Sequence, residues 1–308
     1  MRHFLNLRDI STSDLRKIIS DAKKRKSKRK KLNYLEPDKD IPLKGKFLIQ
    51  MFEKPSLRTR LSFYLAIRQL GGGALNLRKD ELHFAEGEES IHDTAKILSN
   101  YGDVFMFRTD SDKKLQEFKK YIKIPIVNGL SPSSHPTQIL SDIFTIEEIK
   151  KKSISKLKIC WVGDCNNVLN SLIEASIKFS FELNIGAPKK YQPNKTMLAW
   201  IKKQKNNIKI FENPKKAIKN ADVVFADKFI GLNEKVIEPQ KTTNKISNLA
   251  PETKKINILQ SDIVNAKKSL NSVAYKIETR KQSEPLASGF VLQVGAFKTL
   301  ERAILLKN

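Results

Sequence analysis

One short segment of the sequence has the right chemistry to bind a small anion. Ser56, Arg58, Thr59 and Arg60 follow Pro55 at what reads as the start of a helix. Unpaired N–H groups at a helix start, the positive end of the helix dipole, hydroxyls and guanidinium groups together suit a phosphate or another oxyanion. The alternative is a capped helix whose arginines lie in solvent, and this segment alone leaves both interpretations open.

Two other segments favour the binding interpretation. Arg108 stands at the end of the apolar run 104–107, and His135 and Gln138 follow the apolar run 124–127 and a glycine turn. An imidazole and an amide at one strand-end turn can contact the carbonyl oxygen and the NH₂ group of a single substrate. A lone histidine is more often a structural hydrogen-bonding residue, so the hypothesis requires the three segments to meet.

The hydrophobic pattern predicts a scaffold that brings strand ends together. Short apolar strands alternate with amphipathic helices, which is typical of parallel sheets covered by helices on both faces. The predicted strands are 47–52, 104–107, 124–127, 157–162, 182–185, 208–211 and 222–226. The predicted helices are 57–70, 139–149, 168–179, 196–203 and 214–219. We therefore predict an α/β fold with two domains, each with a mostly parallel sheet covered by helices.

A lysine-rich stretch, 150–156, marks the predicted boundary between the two domains. Ligands of parallel sheets bind at the carboxyl ends of the strands. This rule places the segment 56–60 at the mouth of the first domain. It places Gly163, Asn167 and Asp227 at the mouth of the second.

Composition limits the function classes. The chain has 308 residues, 40% of them hydrophobic, which suffices for about two folded domains. The presence of only two cysteines argues against a disulfide framework. The sequence has neither an N-terminal signal pattern nor an apolar run long enough to span a membrane. We therefore expect a cytoplasmic protein. The net charge of +25 and the eight cations within 23–31 suggest nucleic-acid binding. No aromatic residue interleaves with this run, so a solvated helix end is the better interpretation.

The motifs at 56–60, 108–109, 135–138 and 163–167 together resemble those of the carbamoyltransferase family, closest to its ornithine carbamoyltransferase branch. Their order and spacing match over most of the chain, up to about residue 235. The resemblance implies a carbamoyl phosphate-binding domain at 1–149, an ornithine-binding domain at 150–285, and a C-terminal helix at 286–308 packed on the first domain. It also implies a cytoplasmic homotrimer with active sites between subunits, without metal or organic cofactor.

The resemblance also implies three sets of site residues, of which the first is contained in the second. The catalytic set is Arg58, Arg108 and His135. The carbamoyl phosphate set is Ser56, Leu57, Arg58, Thr59, His83, Arg108, His135 and Gln138. The ornithine set is Asn167, Asp227, Gly231 and Leu232. Leu57 would contribute only its backbone N–H, His83 would come from the neighbouring subunit, and Asp227 would bind the side-chain amine of ornithine.

The carboxyl-terminal part of the sequence departs from the family pattern. Gly231 and Leu232 stand where the family has serine and methionine, the segment 256–262 lacks the His-Cys-Leu-Pro signature, and Phe297 aligns with an arginine. Three functions remain open. The first is an ornithine carbamoyltransferase of arginine biosynthesis, and the second is a carbamoyltransferase with another amine acceptor. The third is a non-catalytic paralogue that binds anions or assembles with partners. Nucleic-acid binding comes last.

Overall fold

The structure is a computed structural model that describes residues 2–78 and 89–226. These residues contain two four-stranded sheets, and every strand pairing within them is parallel. The prediction of an α/β fold with two mostly parallel sheets covered by helices is therefore confirmed.

The first sheet has the strand order β2-β1-β3-β4. Its strands are β1 (Phe47–Phe52), β2 (Gly73–Arg78), β3 (Val104–Arg108) and β4 (Ile126–Leu130). After β1 the chain passes to β2 on one side, and it returns to β3 on the other side of β1. Such a reversal leaves a crevice outside the carboxyl ends of the two neighbouring strands, which is the usual ligand position in sheets of this kind.

The second sheet has the strand order β7-β6-β5-β8. Its strands are β5 (Lys158–Val162), β6 (Glu182–Gly186), β7 (Ile208–Phe211) and β8 (Val223–Ala226). Here the reversal lies between β5 and β8. Both sheets therefore have their crevice beside the first strand of the sheet.

Eight α-helices occur within the described residues. They are α1 (Thr12–Lys28), α2 (Leu57–Gln69), α3 (Ile91–Tyr101), α4 (Asp112–Tyr121), α5 (Pro136–Lys150), α6 (Asn167–Phe179), α7 (Lys195–Lys202) and α8 (Pro214–Ile218). Local chemistry sets their starts: Ser11 caps α1 by accepting from the Asp14 N–H, and Asn166 caps α6 by accepting from two N–H groups. α5 begins three residues earlier than predicted because Pro136 occupies its first turn, where a missing N–H costs nothing.

Strand alternation divides the first core into two layers. Leu48 and Phe52 pack with α1, α2 and α5, whereas Ile49 and Met51 pack with α3 and α4. The first of these layers continues through α5 and α6 into the second sheet, where it includes Trp161. One apolar cluster thus connects the two sheets.

The basic run 23–31 forms the end of α1 and the turn that follows it. Arg25 and Arg29 both bond to the buried carboxylate of Asp38, with N–O distances of 2.7 and 2.5 Å. Lys26 pairs with Glu148 at 2.6 Å. Three cations of the run therefore hold neighbouring segments of the fold in place, which supports a structural role for it.

Candidate active site

Residues 56–60, which we call the anion-binding segment after the function predicted for them, lie in the crevice of the first sheet. They follow β1 and include the start of α2. Ser56 is the N-cap of α2 in an extended conformation, and its side chain makes no cap hydrogen bond. Thr59 is buried, whereas the side chain of Leu57 is 74% exposed. Leu57 can therefore contribute to an anion site only through its backbone N–H, which lies at the positive end of the helix.

Arg108 lies beside this segment because the last residues of β1 and β3, Phe52 and Arg108, are register partners. Its Nη1 donates to Oγ1 of Thr59 at 3.3 Å. Its Nε is buried and has no hydrogen-bond partner among the described residues. Burial and the nearby Arg58 both lower the pKa of Arg108. The guanidinium groups of Arg58 and Arg108 thus lie close enough to interact, and Nε of Arg108 remains as a donor that an anion could use.

His135 is the third member of this group, and a bulge in β4 sets its approach. The β3–β4 register shifts so that Phe107 faces Asn128 and Arg108 faces Leu130, which leaves Gly129 as the extra residue. A Cβ atom at Gly129 would lie 2.4 Å from the sulfur of Met106, so a larger residue there would displace the Met106 side chain. The chain then turns, and His135 becomes the N-cap of α5.

The imidazole of His135 is buried and neutral. Burial, followed by the field of Arg108, lowers its pKa to about 3. Its backbone N–H donates to Oγ of Ser171 at 2.8 Å, and its Nδ1 lies 3.4 Å from Oγ1 of Thr137. When Thr137 donates to Nδ1, the ring carries its proton on Nε2, and a neutral imidazole in this form donates a hydrogen bond to a substrate oxygen.

Gln138 lies one helical turn further along α5 and is exposed. Burial raises the pKa of Asp142 to about 7, and a hydrogen bond from Gln138 opposes this rise. The side chain of Gln138 therefore lies within hydrogen-bonding reach of Asp142. An amide has both an acceptor oxygen and an NH₂ donor, so Gln138 has an atom suited to an NH₂ group of a ligand.

The start of α6 contacts the loop that leads to His135. Asn167 is buried, and its Nδ2 donates to the carbonyl oxygen of Ser131 at 2.8 Å. Ser171, one turn later, bonds to Oγ of Ser134 at 3.0 Å as well as to the His135 N–H. The structure therefore brings Asn167 to the loop that leads from β4 to His135, one of the residues predicted to bind carbamoyl phosphate.

The remaining residues that the sequence predicts for the site lie outside the described residues. They are His83, Asp227, Gly231 and Leu232, and the same holds for the segment 256–262 and for Phe297. Within 2–78 and 89–226 no cluster of three or more His, Cys, Asp or Glu residues could hold a metal ion. Across those same ranges, no helix is both long and apolar enough to cross a membrane.

Two family models match the chain. The aspartate/ornithine carbamoyltransferase carbamoyl-P binding domain matches residues 2–148, and the aspartate/ornithine carbamoyltransferase Asp/Orn binding domain matches residues 155–267. The ornithine carbamoyltransferase of Nitrobacter winogradskyi is 40% identical over 234 residues, which are 76% of this chain and 74% of that protein. This chain belongs to the aspartate/ornithine carbamoyltransferase family. The ornithine carbamoyltransferase of Rhodopseudomonas palustris is 38% identical over 256 residues, 81% of each chain.

Solved structures of other carbamoyltransferases have the same fold. The ornithine carbamoyltransferase from Pyrococcus furiosus superposes with a TM-score of 0.68 at 37% identity, covering 74% of this chain and 72% of that one. The anabolic ornithine carbamoyltransferase from Campylobacter jejuni gives a TM-score of 0.67 at 34% identity, covering 76% of this chain and 75% of that one. The resemblance seen in the motifs is therefore confirmed at the level of family and fold.

Sequence reasoning missed three residues that support the site of this carbamoyltransferase. Ser171 holds the backbone of His135, Asp142 contacts Gln138, and Glu53 bonds to residues that follow Arg108. Ser171 and Asp142 each follow a predicted site residue by four positions on a helix, and this spacing was the available signal. For Glu53 the signal was weaker, since only its position before the anion-binding segment suggested a role.

Proposed function

We propose that the chain transfers the carbamoyl group of carbamoyl phosphate to the side-chain amine of ornithine, giving citrulline and phosphate, as a step of arginine biosynthesis. One observation carries this proposal. Arg108, at the end of β3, donates to Oγ1 of Thr59 in the first turn of α2 at 3.3 Å. Arg58 lies in that same turn, and the field of Arg108 also lowers the pKa of His135. This arrangement supports a shared site for one small anion.

In this proposal the phosphate of the substrate lies at the start of α2. Backbone N–H groups, the hydroxyls of Ser56 and Thr59, and the guanidinium of Arg58 surround it. Arg108 bridges the phosphate and the carbamoyl oxygen. This role agrees with its buried, unpartnered Nε and with a side chain that already contacts Thr59.

The reaction needs donors aimed at the oxygen on which charge develops. The neutral amine attacks the carbamoyl carbon, the new C–N bond forms, and negative charge grows on the carbamoyl oxygen near His135 and Arg108. The bond from carbon to the phosphate oxygen then breaks, and the proton released by the amine leaves with the phosphate product. Such donors act without reorganisation when the fold fixes them beforehand, and each commonly contributes ~10²–10³ in rate.

We propose that ornithine binds at the start of α6, with Asn167 at its amino-acid end and Asp227 at its side-chain amine. Residues 1–149 would then form the carbamoyl phosphate-binding domain, 150–285 the ornithine-binding domain, and 286–308 a C-terminal helix on the first domain. The contact between Asn167 and the loop before His135 supports an acceptor position beside the donor site.

We also propose a cytoplasmic homotrimer in which His83 of a neighbouring subunit completes the site. An exposed apolar stripe on α2 supports this assembly. Leu57, Leu61 and Tyr64 are 74%, 41% and 38% exposed, and their spacing places them on one side of the helix. The stripe begins at the anion-binding segment, so a second copy seated on it would approach the site.

A second candidate function is carbamoyl transfer to a different amine. It is favoured by Gly231 and Leu232, which replace polar and longer residues of the family pattern, and by Phe297 in place of an arginine. Most departures from the family pattern fall in the part assigned to ornithine, whereas the carbamoyl phosphate residues mostly match, with Leu57 in place of a threonine as an exception.

The test is product formation from carbamoyl phosphate with ornithine and with a panel of other amines. Citrulline from ornithine supports the first proposal, and a product only from another amine supports the second. Carbamoyl phosphate that stabilises the protein against urea without turnover of any amine would indicate a non-catalytic paralogue. Neither product nor stabilisation would refute a carbamoyl phosphate site.

A further inference from the structure

Glu53 places a buried carboxylate directly behind the anion-binding segment. It follows β1, and its side chain is only 1% exposed. A buried carboxylate is costly unless several donors satisfy it. The donors of Glu53 all come from the segment that follows Arg108.

Four contacts join Glu53 to that segment. Its Oε2 accepts from Oγ1 of Thr109 at 2.5 Å and from the Asp110 N–H at 3.1 Å. Its Oε1 accepts from Nζ of Lys114 at 2.5 Å. Its backbone N–H donates to the carbonyl oxygen of Arg108 at 3.0 Å. Because a carboxylate is an acceptor at every lone pair, it can accept at once from two side chains and one backbone N–H.

These contacts matter because the other side of Arg108 is irregular. The bulge at Gly129 interrupts the β3–β4 ladder at the point where Arg108 leaves the sheet. Thr109 restores one ladder bond by donating its N–H to the carbonyl oxygen of Leu130 at 3.0 Å. The carboxylate of Glu53 therefore fixes the strand end on the β1 side, where the anion-binding segment begins.

We propose that Glu53 is a positioning residue for the donor site. Its carboxylate holds the backbone that carries Arg108 at a fixed distance from the segment 56–60, so that both guanidinium groups address one phosphate. This role rests on the proposed carbamoyl phosphate site. Glu53 touches neither substrate nor reacting atoms, and it acts through Arg108.

The chain contains a matched control. Asp103 joins the opposite ends of the same two strands: its carboxylate accepts from Nζ of Lys46 and from the Phe47 N–H, both at 2.9 Å. Asp103 thus performs the same bridging between β1 and β3 far from the strand ends that form the site. Glu53→Gln and Asp103→Asn each remove one charge from a bridge between β1 and β3.

The experiment measures the dissociation constant of carbamoyl phosphate by calorimetry, together with urea unfolding, for both variants. We expect both to be less stable, and only Glu53→Gln to bind carbamoyl phosphate weakly, by ~10-fold or more, since a displaced donor loses most of its effect. We also expect the Glu53→Gln effect to shrink below about twofold in an Arg108→Met background. A purely structural residue would weaken binding by the same factor in both backgrounds.

Three results would overturn the role: equal affinity in Glu53→Gln and the unaltered chain, an equal loss in Asp103→Asn, or a loss that persists in full without Arg108. If Glu53→Gln does not fold, Thr109→Val removes one donor with little change of shape, and unchanged affinity in that variant refutes the role. Failure of the unaltered chain to bind carbamoyl phosphate would refute the proposed function and this role together. Intact binding in every variant refutes this role alone.

Discussion

Replacing Arg108 with methionine should change the stability of the free protein and its response to carbamoyl phosphate in opposite directions. The guanidinium of Arg108 is partly buried, its Nε has no partner among the described residues, and Arg58 adds repulsion. An unsatisfied buried donor costs ~1–3 kcal/mol, whereas the hydrogen bond to Thr59 returns ~0.5–1.5 kcal/mol. We therefore expect the free variant to gain ~1 kcal/mol in free energy of unfolding.

The bound state should lose more than the free state gains. A charge-assisted hydrogen bond to the substrate contributes ~1.5–3 kcal/mol, which corresponds to a ~10–150-fold weaker dissociation constant. Carbamoyl phosphate at about 100 times the dissociation constant of the unaltered chain stabilises that chain by ~2.7 kcal/mol. For a variant that binds 100-fold more weakly, the same concentration gives only ~0.4 kcal/mol.

Urea unfolding at 25 °C with and without carbamoyl phosphate measures both effects. With a slope of about 2 kcal/mol/M, the midpoint of the free variant should rise by ~0.5 M while its ligand-induced shift nearly disappears. Arg68→Met is the control, because Arg68 is an exposed arginine in the last turn of α2, away from the anion-binding segment. A variant at Arg108 that is less stable when free and fully stabilised by carbamoyl phosphate would refute the reasoning.

Three further predictions concern other residues. His135→Gln should lower the rate of citrulline formation at saturating substrate by ~10²–10³, because a neutral donor to the carbamoyl oxygen is lost. The urea midpoint should change little. A loss of rate of less than about threefold would contradict this role. Gln50 is fully buried in β1, and both of its side-chain polar atoms lack a partner within the described ranges. Gln50→Leu should therefore raise the free energy of unfolding by ~1–3 kcal/mol. A decrease in urea unfolding would contradict an unsatisfied amide at this position. Burial raises the pKa of Glu174 from 4.5 to about 7, so its contribution to stability is present below pH 4.5 and is lost as the pH rises through 7. Glu174→Gln should therefore gain ~3 kcal/mol relative to the unaltered chain between pH 4.5 and pH 8 in urea unfolding, and a difference that does not change with pH would exclude this effect.

Continuous apolar runs made most strands predictable. β1 has the predicted bounds, whereas β4 begins at Ile126, two residues later than expected. Pro125 explains the delay, since proline has no N–H to give to a ladder. β2 was not predicted because it begins within a glycine run, Gly71–Gly73, that signals the end of a helix. Nor did the apolar pattern predict α3 and α4, which bury few residues: Thr94, Ala95 and Leu98 in α3, and Leu115 and Phe118 in α4.

The chemical types at the site and the strand ends that carry them were predictable, but the neighbours within the sheet were not. Arg108 reaches Thr59 because β3 lies beside β1, and a sequence does not state strand order. The partners of Glu53 lie more than fifty positions away along the chain. Local patterns therefore predict which groups are available, and tertiary pairing decides which of them act together.

The apolar cluster that runs from the first sheet through α5 and α6 into the second has a consequence for engineering. Ile143 of α5 and Leu172 of α6 belong to one hydrophobic cluster. Cutting the chain near Lys150 would therefore expose apolar surface on the amino-terminal fragment. That piece could not serve as a portable carbamoyl phosphate module without new covering residues. Chimaeras that aim at new acceptors should therefore exchange loops at the strand ends and leave α5 and α6 as a native pair.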